Sequence, residues 1–150
     1  MKTHPLYRAK AGDFYAVSVR EGLYGYVRIF GGCSLGVMPK LTQGIVKGIR
    51  VIMSLKPRWY FEFLSPSDDP TEMLRIGNIP FIDENDQWPP DRFEPPRLPI
   101  ITYYRIISKG EYRRVDQREA AGLQERKTVT PTRLKEFILT LEKQGALSVD

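Results

Sequence analysis

Few residue types can carry acid–base, nucleophilic or metal chemistry, and this chain holds few of them in workable arrangements. It has one histidine, His4, and one cysteine, Cys33. Sites for zinc and similar metals need several His or Cys at fixed spacings, so only an all-oxygen site is open to it. Asp83-Glu84-Asn85-Asp86 has the look of a calcium loop but lacks the glycine and the closing glutamate such a loop requires. A Ser or Cys nucleophile would want a histidine partner, and His4 lies in a short basic lead-in, residues 1–11, that reads as a tail with a solvated imidazole. Gly31-Gly32-Cys33-Ser34-Leu35-Gly36 follows a strand pattern without the Lys-Ser/Thr ending of a phosphate cradle. Glu62 sits amid aromatics, where a raised pKa for acid–base work is conceivable; a solvent-facing place in an antiparallel strand is the simpler account. We expect no catalysis, no cofactor and no metal.

Recognition chemistry is better represented. The net charge of +5 is unevenly spread: ten Lys or Arg stand against two acids over residues 1–60, three against nine over 61–99, and ten against seven over 100–150. The acidic middle also holds Pro89, Pro90, Pro95, Pro96 and Pro99, so residues 65–99 read as a long acidic, proline-rich loop. A loop of that length calls for a task. Asp83, Glu84, Asp86 and Asp91 with the rigid aromatic Trp88 are the candidate contact residues. A second candidate is Arg28, presented between Tyr24 and Tyr26 for a partner's carboxylate or phosphate, or else paired internally with Asp13.

The elements that must position these groups are mostly strands. Residues 14–19 and 23–30 are aromatic and β-branched runs around Arg20-Glu21-Gly22, which predicts a β-hairpin. Period two puts Tyr24, Tyr26, Arg28 and Phe30 on one face and Gly25, Val27 and Ile29 on the other. A short third strand is expected at 35–38, ended by Pro39. Further extended segments are expected at 44–55, with Ile49, Val51 and Met53 on one side, at 59–64 and at 100–108. Asp116 followed by Glu119 predicts a capped short helix ending at Gly122. Thr130-Pro131 opens a helix whose Leu134, Phe137, Ile138 and Leu141 form one stripe, closed by Gly145. The fold class is therefore α+β within one domain, 1–150: a twisted antiparallel sheet, or a small SH3-like half-barrel, with the last helix packed on it. With one cysteine, no secretory signal pattern and no apolar run long enough to span a bilayer, a cytoplasmic setting is expected.

Taken together, Gly12-Asp13-Phe14-Tyr15-Ala16-Val17 and Gly22-x-Tyr24-Gly25-Tyr26-x-Arg28 resemble the opening signature of the bacterial immunity protein twenty-six family. Ile76-Gly77-Asn78-Ile79-Pro80, Pro89-Pro90-Asp91-Arg92-Phe93, Gly110, the 119–123 turn and the last helix follow in that family's order across residues 10–142. The chain departs from the pattern at Ser18, where proline is common, and in its basic overall charge. The resemblance implies a protein that neutralises a toxin by binding it and has no catalytic residues. A small β-rich nucleic-acid-binding module is the alternative expectation, since basic segments and tyrosines could follow a phosphate backbone and stack bases.

Overall fold

The computed structural model describes residues 4–150. The first sheet grows from the expected hairpin. Strand β1 (Asp13–Arg20) pairs antiparallel with β2 (Leu23–Phe30), from Phe14 opposite Arg28 to Arg20 opposite Leu23, and Gly22 takes a positive φ of 77° in the turn. Strand β3 (Ser34–Gln43) is longer than expected and runs through Pro39. Gly25 faces Leu41 while Val27 faces Val37, so Met38, Pro39 and Lys40 together oppose Tyr26. This is a bulge, the place in a strand where proline's missing N–H does no harm.

β3 changes partner at the bulge. Ser34–Val37 pairs with β4 (Trp59–Phe63), while Lys40 and Leu41 pair in parallel with the short terminal strand Ser148–Val149. With β5 (Met73–Asn78) on β1 and the two-residue strand Thr128–Val129 on β4, seven strands form an open sheet whose edges do not close into a barrel.

The strand period separates two cores. Tyr15, Val17, Val27, Ile29 and Val37 face Leu134, Ile138 and Leu141 of the last helix, Pro131–Lys143. Phe14, Ala16, Tyr26, Met38 and Leu74 face the other way. The last helix begins as expected, with the Thr130 hydroxyl accepting from the Arg133 N–H at 3.3 Å and Pro131 in the first turn. Asp69 adds a cap from a distance, accepting from the Thr132 N–H at 3.0 Å and its hydroxyl at 2.8 Å. The helix crosses β2 over Gly25, where a Cβ would sit 3.1 Å from Ile138 Cδ1.

Residues 44–55 are not extended. They turn at Gly44 and form a one-turn helix, α1 (Arg50–Met53). Ile45, Ile49, Ile52 and Leu55, near helical spacing, pack against the Tyr26 core, whereas the alternating set leaves Val51 and Met53 exposed. Period three prevails because it buries more.

The stretch 65–99 is likewise no uninterrupted loop, since it contains β5 and part of a second sheet. β5 is buried on both faces at its start, Met73 toward one core and Leu74 toward the other, so it shows no alternation. The second sheet has four strands, in the order β8 (Glu111–Val115), β7 (Tyr104–Ser108), β6 (Arg92–Glu94) and β9 (Gln124–Glu125). β7 starts later than expected; Arg97 and Ile101 instead bridge across a turn. The helix α2 (Gln117–Ala120) has its full capping box between Asp116 and Glu119 and covers Ile106 and Val115. Residues 124–129 join the sheets, with Gln124–Glu125 on β6 and Thr128–Val129 on β4.

The lead-in is tied down from His4 onward. The His4 N–H donates to the Met73 carbonyl at 3.0 Å, its Nδ1 lies 2.5 Å from the Tyr15 hydroxyl, and Leu6 is buried. Residues 1–3 of the expected tail lie outside the described residues. No helix among the described residues is long and apolar enough to cross a membrane.

Candidate functional site

An open cleft of about 750 Å³ lies where the end of β2, the segment after α1 and residues 79–91 meet. Arg28, Phe81, Asp86, Trp88, Asp91 and Lys109 are among the residues that line it. Trp88 follows a 3-10 turn, Glu84–Gln87, capped by the Asp83 carboxylate, which accepts from the Asn85 N–H at 2.9 Å. The Gly31 N–H donates to the Gln87 carbonyl at 2.6 Å and pins that turn to the end of β2. The indole then rests on glycine: a Cβ would lie 3.1 Å from it at Gly32, 3.3 Å at Gly110 and 3.4 Å at Gly31. Gly31-Gly32 is therefore the seat of an aromatic wall.

Arg28 projects from β2 between two rings, its guanidinium carbon 4.0 Å from the Phe81 centroid and 5.0 Å from that of Phe14. One amino group, Nη2, donates to the Ile79 carbonyl at 2.9 Å, while Nε is buried without an acceptor. Burial lowers its pKa. Among the described residues no carboxylate lies within ion-pair distance of it.

The expected pairing with Asp13 does not form. Asp13 accepts from the Asn78 amide at 2.7 Å, the Lys10 N–H at 2.9 Å and Arg75 Nε at 3.0 Å. Burial pushes its carboxyl up, but these donors outweigh burial and hold it below the ordinary value.

Of the residues singled out in the sequence, Arg28, Asp86, Trp88 and Asp91 come together around the cleft. Asp83 and Glu84 are exposed on the 3-10 turn and do not line it. Tyr24 and Tyr26 do not flank the guanidinium as expected. Tyr26 is fully buried, with its hydroxyl 2.5 Å from Thr42 Oγ1 and accepting from the Val46 N–H at 3.0 Å, so it has no surface to offer a partner. Tyr24 is half-buried and packs with the same core.

Between the sheets lies a second group of charges that sequence reasoning missed. Glu62 is buried, not solvent-facing. Arg92 Nη1 approaches Glu62 Oε1 at 2.6 Å, Arg126 Nε meets the same oxygen at 3.3 Å, Arg126 Nη1 reaches Glu94 Oε1 at 2.9 Å, and Arg105 Nη2 reaches Glu94 Oε2 at 2.5 Å. The result is a chain, Arg92–Glu62–Arg126–Glu94–Arg105, that links β4, β6, β7 and the 124–129 connection. Burial pushes the Glu94 carboxyl up, but Arg105 and then Arg126 outweigh it and hold the group below the ordinary glutamate value. A carboxylate locked as an anion between arginines is poorly suited to proton transfer near neutral pH. The available signal was period two, which puts Arg92 and Glu94 on one face of β6 and Glu62 on the face of Tyr60 in β4; all four residues are buried.

Among the described residues no group of three or more His, Cys, Asp or Glu is placed to hold a metal ion. No protein-family model, no curated protein and no solved structure matches the chain.

Proposed function

We propose that the protein is an immunity protein that binds a cognate bacterial toxin through the Arg28–Trp88 cleft and neutralises it by occlusion, with no chemistry of its own. The observation that carries this reading is the convergence of a rigid aromatic, an arginine without a carboxylate and two exposed acids around one concave surface. Interface hot spots are enriched in tryptophan and arginine seated in pockets, and rim charges steer the encounter. The ordered motifs of residues 10–142 that resemble the immunity protein twenty-six family point the same way. Asp86 and Asp91 on the rim suit a partner with a basic collar around its active site.

The test is affinity capture of the tagged protein from nuclease-treated native bacterial lysate, followed by co-expression with whatever protein is recovered. A single stoichiometric partner that is toxic alone and harmless with this chain is expected. Recovery of nucleic acid that vanishes with nuclease or salt, and of no protein, would overturn the reading in favour of the nucleic-acid module.

A further inference from the structure

Arg28 is held as a binding group is held. Its rings fix the side chain before any ligand arrives, so little rotamer entropy remains to be lost on binding. A half-buried guanidinium without a carboxylate is unfavourable in the free protein, and an anion entering the cleft would relieve it. The surroundings select among anions. Phe30, Tyr60 and Trp88 line the cleft with apolar surface, which suits an anion carried on an apolar arm better than a compact, strongly hydrated phosphate, while Asp86 and Asp91 partly offset the charges of Arg28, Lys56 and Lys109. A planar carboxylate also matches the guanidinium edge.

We propose that the cleft is a carboxylate-binding site anchored by Arg28, and that its ligand is a carboxylate on an apolar arm, presented by the partner protein as an acidic side chain or chain terminus. The source of the carboxylate rests on the toxin-binding reading; the chemistry of the site does not. Arg28 is the anchoring donor, the aromatic walls take the arm, and Lys109, held by Asn85 at 2.8 Å, adds positive potential.

The experiment follows the Arg28 Nε–H and Trp88 indole N–H resonances of the full chain during titration with 3-phenylpropionate, 3-phenylpropanol or inorganic phosphate. Saturable shifts of both resonances with the carboxylate alone are expected, and Arg28→Met should weaken that binding at least about tenfold. Thermal unfolding of Arg28→Met is expected at or above the parent temperature, which separates lost binding from lost folding. Equal response to the alcohol, stronger binding of phosphate, or no saturable shift would overturn the carboxylate site, whatever the lysate capture yields. If phenylpropionate binds but Arg28→Met captures the partner as well as the parent does, the partner is not the source of the carboxylate and that half of the proposal falls. If phenylpropionate binds and no protein is captured, the toxin-binding reading and the partner source fall together, and the site stands for a small-molecule carboxylate.

Discussion

Two regions of this protein bury guanidinium groups, and they do so in opposite ways. In the chain between the sheets, Arg92, Arg126 and Arg105 alternate with Glu62 and Glu94, and every arginine has a carboxylate. In the cleft, Arg28 has two aromatic rings and one backbone carbonyl but no carboxylate. The first arrangement gives every guanidinium a carboxylate within the fold, although Arg92 Nε and Nη1, Arg105 Nε, Arg126 Nε and Glu62 Oε2 lack hydrogen-bond partners, and it ties one sheet to the other. The second would be completed by an anion, which the proposed carboxylate ligand supplies. On the proposed reading, the contrast separates a charge kept for architecture from one kept for recognition, a distinction that residue type alone does not make.

The comparison can be broken from either side. The largest effect is expected for Glu62→Gln. It leaves Arg92, only 4% exposed, without an anionic partner, and should lower stability by about 3–5 kcal/mol in chemical denaturation. Next, Trp88→Ala should reduce affinity for the captured partner by about 2 kcal/mol or more, measured by calorimetry, with little loss of fold because its seat is glycine.

A pH series sharpens the contrast further. Glu94 and Asp13 both have folded pKa values held below their ordinary ones. Their contribution is complete above the ordinary carboxylate range and fades as pH falls through the depressed values, so the denaturation midpoint should drop in acid. In Glu94→Gln that acid dependence should be shallower. The smallest effect is expected for Asp83→Ala, at an exposed capping residue outside the cleft, which should leave partner affinity within about 0.5 kcal/mol of the parent and lower stability by about 0.5–1 kcal/mol through the lost cap.

How far the sequence could be read follows the same division. The β1–β2 hairpin and the two capped helices were legible because turn chemistry, capping and periodicity agreed there. The 44–55 segment was not, because its apolar residues fit both a two-residue and a near-helical repeat and only the Tyr26 core decides between them. β5 and β6 were hidden for different reasons: Met73 and Leu74 are both buried, and Arg92 and Glu94 occupy inward positions where apolar residues are expected. Within the candidate site, Trp88, Asp86 and Asp91 stood out by composition and Arg28 by its place in an apolar strand. That Phe14 and Phe81 flank Arg28, in place of Tyr24 and Tyr26, depends on register and on a contact 53 residues away in sequence.

The most direct test of the central claim is thermal unfolding of Arg28→Met beside Arg92→Met, the same truncation at a half-buried and at a buried guanidinium. Arg92→Met should unfold about 10 °C below the parent, since it strips Glu62 of its closest cation, while Arg28→Met should unfold at or above the parent temperature. Equal losses in the two variants would contradict the account and make Arg28 a structural residue like the others.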